Sequence, residues 1–516
     1  MTIQNNIQKL LFLTFGLLIV ASCKKDPKTI PSPAPPAGPA VAMGTRAELT
    51  KDSIFLYARD TYYWNDGIPT YDVFKPRQYG SNQDVLDAII KLPGLNKPND
   101  KYSFLDNGSV SSQLNGVSGD FGFSVFYNGA RPSDDLRIKY VALNSPAAIK
   151  GMKRGYRITK INGRTDLTTA SEANLSFVSS AVFGNNPTVT LTVEKPGGIT
   201  EELTLARGSY SNNPIFHTQI YTVGAKKVGY IVYNSFTTNS RDALTAKMAE
   251  FTTAGVTELV VDLRYNGGGS VATADVFTNL IAPASASGTV MYTTFWTKKM
   301  QDDAAKILEN QPLLDANGKL QLTGSADLKG YIPRNGKWVT YFDLNYKSTS
   351  DQNMEMFKKV GSANITKAIF LVLSGTASAS ELLINNLKPH MDVKLIGNKT
   401  YGKPVGFFAI KIDKLDLYIP QFETKNSQNV GGYYNGLPVD YQISDDVSKD
   451  FGDPSESLLA AALSYSAKGT FTVTKPNNTI SSIRSMSVSE AESMTNEFDG
   501  NNFKGMVDDK LKFKRK

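Results

Sequence analysis

Apolar side chains recur at two spacings along the 516 residues, and the spacing changes from one region to the next. In residues 46–110 they recur at helical intervals, once near the start and again over residues 81–92 after a proline-containing loop. The first of these helical patterns is formed by Ile54, Tyr57, Ala58 and Tyr62. We therefore expect a small helical region at 46–110.

Residues 111–210 show the alternation that is typical of half-buried strands. The short runs with this pattern are FGFSVFY, LRIKYVAL, YRITKING, TVTLTVEK and EELTLAR. One helical pattern, at residues 172–182, interrupts them. A small β-rich module is predicted here.

Residues 211–466 alternate between β-branched runs and helical patterns. The runs are VGYIVYNSF, ELVVDLR, AIFLVLS and VKLIG. This order predicts a mostly parallel α/β sheet with right-handed crossovers. Ligands of such sheets bind at the carboxyl ends of the strands, where the loops RYNGGGS and SGTASAS fall. The chain is thus predicted to be a multidomain α/β protein.

The composition excludes some functions and leaves others open. The chain is 41% hydrophobic and 20% charged, as in soluble globular proteins, and its net charge of +8 is modest for its length. No basic block carries interleaved aromatic residues, so a nucleic-acid partner is not expected. Residues 467–516, rich in Ser, Asn, Lys and Asp, are expected to be a disordered tail or a peripheral appendage.

The first residues are typical of an exported chain. Lys9 precedes an apolar run that is too short to span a membrane but suits a signal peptide, which we place at 1–22. The run ends in VASC, which resembles the bacterial lipobox. Cys23, the only cysteine, is therefore the expected lipid anchor, and the proline-rich residues 23–45 are the expected linker. We predict an exported bacterial lipoprotein of the cell envelope, facing the periplasm or on the cell surface.

The stretch LVLSGTASASELL, residues 371–383, changes from a strand pattern to a helical one through a run of small residues. It fits a plain strand followed by an N-capped helix, and it also fits a nucleophilic serine at a helix start. A nucleophile needs a base, and the chain has only two histidines. His390 lies beyond the expected helix, roughly 15 Å from Ser378 at 1.5 Å per residue, and nothing local orients His217.

A lysine can act as the base if burial lowers its pKa. Lys403 lies between glycines and aromatic residues directly after the strand VKLIG, 25 positions after Ser378. That interval accommodates a helix, a returning strand and a loop. The two side chains can therefore meet at one edge of the sheet.

Three motifs in this order resemble the carboxy-terminal processing serine peptidases of family S41. They are DLRYNGGG at 262–269, GTASASE at 375–381 and GNKTYGKP at 397–404, and GLPVD at 436–440 is similar to the closing segment of the family. Residues 145–165 resemble the PDZ pattern. The resemblance covers about residues 46–466 and implies an α/β core of the ClpP/crotonase type at 211–466, with a PDZ-like domain at 111–210.

The family resemblance also implies roles for individual residues. Ser378 is the implied nucleophile and Lys403 the general base, while the N–H groups of Gly268 and Ala379 form the oxyanion hole. The PDZ resemblance implies that substrate C-termini bind beside a strand in a groove, whose residues are Phe121, Gly122 and Phe123. Neither a metal nor an organic cofactor is implied.

Two positions depart from the family pattern and keep an alternative open. Phe407 stands where the family often has a glutamine that orients the lysine, and Pro389 replaces a common aspartate. Glu381, Gln421 or a backbone carbonyl is then a candidate for orienting Lys403. The alternative is a catalytically inactive protein that binds peptide tails on the same fold. An α/β esterase is excluded because the chain lacks a G-x-S-x-G elbow.

Overall fold

The structure is a computed structural model of the chain. It describes residues 43–93, 95, 100–128, 132–315, 318–471, 498 and 503–508. The predicted signal peptide and Cys23 lie outside the described residues, as does the linker up to residue 42. Within the described ranges no helix combines the length and the apolar character that crossing a membrane requires.

The region at 46–110 is helical, as the apolar spacing predicts. Its helices are α1 (Arg46–Thr61), α2 (Tyr71–Phe74), α3 (Asn82–Ile90) and α4 (Ser109–Leu114), with one strand, β1 (Phe104–Asp106). A reciprocal cap begins α3, because the Ser81 hydroxyl accepts the Asp84 N–H while the Asp84 carboxylate accepts the Ser81 N–H. The buried faces of α1 and α3 join the main hydrophobic core of the chain.

The β-rich region contains a five-stranded antiparallel sheet in the order β3-β4-β5-β6-β7, with β3 at an edge. Its elements are β2 (Val117–Ser118), β3 (Phe123–Tyr127), β4 (Leu136–Val141), α5 (Pro146–Ile149), β5 (Arg157–Ile161), α6 (Glu172–Phe183), β6 (Thr188–Glu194), β7 (Thr200–Ala206) and β8 (Tyr210–Ser211). This module has a hydrophobic core of its own, to which α6 contributes.

The third region forms a six-stranded sheet in the order β21-β16-β15-β11-β10-β9, parallel except for the edge strand β9. Its strands are β9 (Ile215–Val223), β10 (Lys226–Tyr233), β11 (Glu258–Asp262), β15 (Lys367–Val372), β16 (Asp392–Gly397) and β21 (Tyr441–Gln442). The strands predicted from β-branched runs match β10, β11, β15 and β16. The α/β fold class and the helical N-terminal region are thereby confirmed.

Helices cover both faces of this sheet. The helices are α7 (Arg241–Thr253), α8 (Val271–Ile281), α10 (Ala379–Leu387) and α11 (Ser457–Lys468), while the short helix α9 (Lys298–Gln301) lies against α1. Alternate strand residues pack with α7, α8 and α10 on one face and with α11 on the other, which leaves the strands buried on both sides.

Smaller sheets lie beside the main one. They are formed by β12 (Gly268–Ser270), β13 (Val290–Trp296), β14 (Met354–Met356), β17 (Val405–Gly406), β18 (Ile410–Ile412), β19 (Leu415–Tyr418), β20 (Phe422–Asn426) and β22 (Gly505–Val507). Strands β14-β13-β20-β17 make a four-stranded sheet, β1-β19-β18 a three-stranded one and β12-β22 a parallel pair. The segment that was expected to be a tail therefore contributes β22 to the interior of the protein.

A buried ionic network joins the β-rich module to the main sheet. Asp445 accepts hydrogen bonds from Arg154 of the module at 2.7 Å and from Arg264, in the loop after β11, at 2.6 Å. Arg264 also pairs with Asp262 and with Glu456, and its side chain is 1% exposed. Every charge in this network has an opposite partner, as buried charges require.

Candidate active site

Ser378 ends the loop between β15 and α10 in a strained backbone conformation. Its φ is +64° and its ψ is −112°, outside the regions that residues with a side chain prefer. The residue is fully buried, and its Oγ makes no hydrogen bond among the described residues. Such a strained backbone conformation costs about 1–3 kcal/mol, so surrounding contacts must hold the serine in place.

Glu381, one turn into α10, supplies those contacts. Its Oε2 accepts the N–H groups of Ser378 and Lys403, both at 2.8 Å. Its Oε1 accepts the Gly402 N–H at 2.8 Å and the Thr400 hydroxyl. Burial raises the pKa of Glu381, and these four hydrogen bonds oppose the rise because they favour the carboxylate. The fully buried carboxylate thus ties the start of α10 to the loop after β16.

Lys403 lies in that loop, and its side chain is fully buried. Its ammonium donates to the Lys504 carbonyl oxygen at 2.6 Å and lies 3.8 Å from the centre of the Phe407 ring. Burial lowers the pKa of Lys403 well below its ordinary value; Asp100 and Glu381 oppose this shift, and Lys504 adds to it. A lysine in this setting loses its proton more readily than one in water, as a general base must.

The two residues with the predicted oxyanion role lie beside Ser378. A side chain on Gly268 would place its Cβ 2.9 Å from the Ala379 nitrogen and 2.9 Å from the Ser378 Cβ, and the φ of Gly268 is +105°. Ala379 begins α10, where backbone N–H groups lack intrahelical partners. The Gly268 N–H, however, donates to Asn266 Oδ1 at 2.8 Å and is engaged within its own loop.

Among the described residues the Lys403 ammonium is hydrogen-bonded to a backbone carbonyl, and not to either of the two side chains expected to orient it. Glu381 contacts the backbone N–H of Lys403, whereas the ammonium lies against the Phe407 ring and the Lys504 carbonyl. Gln421 is buried, and its Oε1 accepts the Phe408 N–H at 2.8 Å. It therefore positions the chain beyond β17 rather than the ammonium.

The predicted peptide groove lies at the edge of the β-rich module. Phe121 and Phe123 are buried in the core of this module. Gly122 has a φ of +80°, and a Cβ there would lie 1.9 Å from the Ser145 Cβ, so only glycine fits. Its N–H donates to Asp120 Oδ1 at 2.8 Å, which places one of the chain's own carboxylates on the donor that the PDZ resemblance assigns to a substrate tail.

Neither histidine contacts the Ser378 hydroxyl. His390 follows α10, with its Nε2 3.0 Å from the Ser427 hydroxyl and its ring against Phe357. His217 lies on the edge strand β9 with its Nε2 3.1 Å from Gln219 Oε1. Among the described residues no group of three or more His, Cys, Asp or Glu is placed to hold a metal ion.

Two residues of the site, Asn266 and Tyr102, were not predicted from the sequence. Asn266 is fully buried, and its carbonyl oxygen accepts the Ala377 N–H and the Ser380 hydroxyl, which fixes the serine loop. Tyr102, from the N-terminal region, donates its hydroxyl to the Gly402 carbonyl at 2.6 Å. Asn266 falls within the glycine-rich motif, where its polarity was a usable signal. Tyr102 is 300 positions from Gly402, and no local pattern connects them.

Comparison with known proteins identifies a peptidase family domain in this chain. Residues 227–433 match the model of peptidase family S41. The chloroplastic C-terminal processing peptidase of Tetradesmus obliquus is 24% identical over 439 residues, which cover 79% of this chain and 80% of the relative. A CtpA-like serine protease of Staphylococcus saprophyticus is 22% identical over 323 residues, which cover 62% of this chain and 52% of the relative. The chain thus spans about half the length of the staphylococcal relative.

Solved structures agree with the family match at the level of fold. An S41 protease from Bacteroides fragilis superposes with a TM-score of 0.52 at 22% identity, covering 81% of this chain and 97% of that chain. The matched residues 227–433 contain Gly268, Ser378 and Lys403. Residues 227–433 are therefore a peptidase family S41 domain, the kind of domain found in serine-type peptidases.

Proposed function

We propose that this protein is an endopeptidase that cleaves unfolded or C-terminally exposed polypeptides with a Ser378–Lys403 dyad. The observation that carries the proposal is the common carboxylate of Glu381, which receives the backbone N–H groups of both residues. It fixes an unpartnered serine hydroxyl and a buried lysine of lowered pKa at the same edge of the sheet.

The proposed reaction follows from these groups. Neutral Lys403 removes the Ser378 proton as Oγ attacks the scissile carbonyl, and the resulting oxyanion is stabilised by the Ala379 N–H at the start of α10. Lys403 then returns the proton to the leaving amine, and water releases the acyl group by the same steps in reverse order. Gly268 keeps this space open because a side chain there would collide with both Ser378 and Ala379.

In this proposal the β-rich module binds substrate C-termini in the manner of a PDZ domain. Its support is the edge position of β3 in the five-stranded sheet and the adjoining Gly122 turn, where backbone donors can receive an added strand. A tail carboxylate would have to displace Asp120 from the Gly122 N–H.

We also propose attachment to a membrane through lipid on Cys23, which places the protein in the cell envelope. The support is the lipobox-like VASC and the absence of any second cysteine in the chain. Intact mass measurement of the native protein tests it: the expected result is a chain that begins at Cys23 with an added lipid mass, and Cys23→Ala lacks that mass.

The test of the activity is cleavage of a disordered polypeptide with an apolar C-terminus, followed by mass spectrometry. We expect the parent chain to cleave it, and Ser378→Ala and Lys403→Ala to lose activity by about 10⁴-fold or more. Ser380→Ala is the matched control: its hydroxyl donates to the Asn266 backbone carbonyl and to no reacting group, so this variant should keep most of the activity and lose only what that loop contact supports. Tail binding without cleavage by any of these proteins would contradict the proposed activity.

A further inference from the structure

The C-terminal strand β22 occupies the space in front of Ser378. It pairs in parallel with β12, with Gly505 opposite Gly268 and Val507 opposite Ser270. On its other side, the Phe407 N–H donates to the Met506 carbonyl at 3.0 Å and the Asp508 N–H donates to the Phe407 carbonyl at 2.9 Å. The segment is thus held as a strand along both edges.

The glycine-rich loop accommodates this strand at close range. A Cβ on Gly267 would lie 2.3 Å from the Phe503 carbonyl oxygen, and a Cβ on Gly268 would lie 2.3 Å from the Gly505 carbonyl oxygen. Carbonyls at this distance take the place that a substrate backbone would need beside Ser378. Glycine at both positions is what allows a polypeptide backbone to enter.

The side chains of the strand are anchored as firmly as its backbone. Met506 is fully buried in the main hydrophobic core, and Val507 packs in a small cluster with Phe407 and Tyr418. Phe498, upstream in the same segment, lies in the core of the β-rich module. Its ring centre is 5.8 Å from that of Tyr127 at the end of β3 and 5.8 Å from that of Phe183 at the end of α6.

The strand also engages the base. The Lys504 carbonyl accepts the hydrogen bond of the Lys403 ammonium, while the Ser378 hydroxyl makes no hydrogen bond to any described residue. The ammonium is thus hydrogen-bonded to the strand and not to the serine hydroxyl. Release of the strand would remove this acceptor and leave Lys403 available to the serine.

We propose that residues 503–508 are an intramolecular inhibitor that occupies the substrate strand position, with Phe498, packed in the core of the β-rich module, as a second attachment point. This inference rests on the proposed function. A substrate is then an extended polypeptide that displaces the segment, pairs in parallel with β12 and places apolar side chains where Met506 and Val507 lie. Because the inhibitor belongs to the same chain, its effective concentration is on the order of millimolar, and weak contacts suffice.

The first test uses the unmodified protein. Hydrogen exchange of the peptide that contains residues 503–508 is expected to be protected, since the Gly505 N–H donates to the Gly267 carbonyl at 3.0 Å and the Asp508 N–H to Phe407. Addition of a disordered polypeptide substrate to the Ser378→Ala protein is expected to remove that protection. Exchange in the unmodified protein at the rate of an unstructured peptide would overturn the inference, whatever any variant does.

The second test places charge in the strand. Met506→Asp/Val507→Asp in the full chain is expected to raise kcat/KM on a disordered substrate at least about tenfold, because the competing strand is released. Leu511→Asp/Phe513→Asp makes the same change of charge and hydropathy beyond residue 508 and is expected to leave kcat/KM unchanged. A synthetic peptide of residues 498–511 should inhibit the Met506→Asp/Val507→Asp protein, and a peptide with the same two substitutions should not.

The outcomes separate this inference from the proposed activity. If Met506→Asp/Val507→Asp is folded and its kcat/KM equals that of the parent, the inhibitor is refuted and the peptidase remains. A second outcome is that no protein cleaves the substrate, while residues 503–508 are protected from exchange and the synthetic peptide of residues 498–511 binds the Met506→Asp/Val507→Asp protein. The inhibitory strand is then supported, and the proposed peptidase activity fails. If this variant does not fold, exchange in the unmodified protein decides.

Discussion

Ser378 and Lys403 donate their backbone N–H groups to the same carboxylate oxygen, Oε2 of Glu381, each at 2.8 Å. One buried acceptor therefore fixes the position of the helix that begins after the serine relative to the loop that carries the lysine. Positioning of this kind matters because a misplacement of about 1 Å at a reacting group can cost about 10²-fold in rate.

Glu381→Gln is expected to lower kcat by about 10- to 100-fold and to destabilise the fold by about 2–4 kcal/mol. An amide has one acceptor oxygen, so its NH₂ group must face two of the four donors that the carboxylate now accepts. Steady-state kinetics and urea unfolding measure the two effects. Glu250→Gln, on the exposed face of α7, is the control and should change stability by less than about 0.5 kcal/mol. An unchanged kcat in Glu381→Gln would show that the shared carboxylate does not position the dyad.

The pH dependence of cleavage is expected to follow Lys403. Burial lowers the pKa of this lysine, so kcat/KM should rise with pH along a single-proton limb that lies well below pH 10.5. Lys403→Arg should be inactive throughout, since a guanidinium keeps its proton at every pH of the assay. If Lys403→Arg were active and its kcat/KM had the same pH dependence as that of the parent, a group other than Lys403 would be responsible for the titration.

Gly268→Ala is expected to reduce kcat/KM by about 10²-fold. Its Cβ would enter the space between Ser378 and Ala379, and its φ of +105° is unfavourable for any residue with a side chain. Gly288→Ala is the matched control, because Gly288 also has a positive φ, +83°, but nothing lies within 4 Å of the added Cβ. Backbone strain should destabilise both variants. Only Gly268→Ala should lose more activity than its loss of stability explains. Equal losses in the two would reduce the role of Gly268 to backbone conformation.

The features that the sequence predicted well are those with local patterns. Runs such as ELVVDL and AIFLVL are buried on both faces of a parallel sheet, and their composition identifies them as β11 and β15 without any knowledge of the fold. The loops after those strands lie together because parallel strands end at one edge.

Long-range contacts escaped the sequence because they depend on packing between distant segments. The strand β22 is three residues long in a polar segment. It forms because Gly267 and Gly268 leave room for its backbone and because Met506 is buried in the core.

One local contact was also not predicted. The Gly268 N–H was expected in the oxyanion hole, but it donates to Oδ1 of Asn266, two residues away. Such local competition between acceptors has no signature in spacing.

Asp445→Asn is expected to destabilise the protein by about 3–5 kcal/mol, because it leaves Arg154 and Arg264 buried with one fewer carboxylate. Burial alone would raise the pKa of Asp445, but the two guanidinium groups outweigh it and hold the pKa well below its usual value.

The sign of the pH dependence follows from that lowered pKa. The stabilisation by Asp445 is fully present above about pH 4, where the unfolded carboxylate is ionised, and is lost as the pH falls toward the folded pKa. Urea unfolding at several pH values should therefore show that the free energy of unfolding falls less at acid pH in Asp445→Asn than in the parent. Asp446→Asn is the control, because the Asp446 carboxylate accepts the N–H and the hydroxyl of Ser448 in an exposed turn and pairs with no arginine among the described residues. An acid loss in Asp445→Asn as steep as that of the parent would refute this contribution.

The most direct test of the Ser378–Lys403 dyad is covalent labelling with a fluorophosphonate, in which the activated serine oxygen bonds to phosphorus and fluoride leaves. Peptide mapping by mass spectrometry is expected to find one adduct, on Ser378, formed faster in Met506→Asp/Val507→Asp than in the parent and absent from Lys403→Ala. Cleavage activity that survives without an adduct on Ser378, or an adduct on a different serine that abolishes the activity, would contradict the dyad.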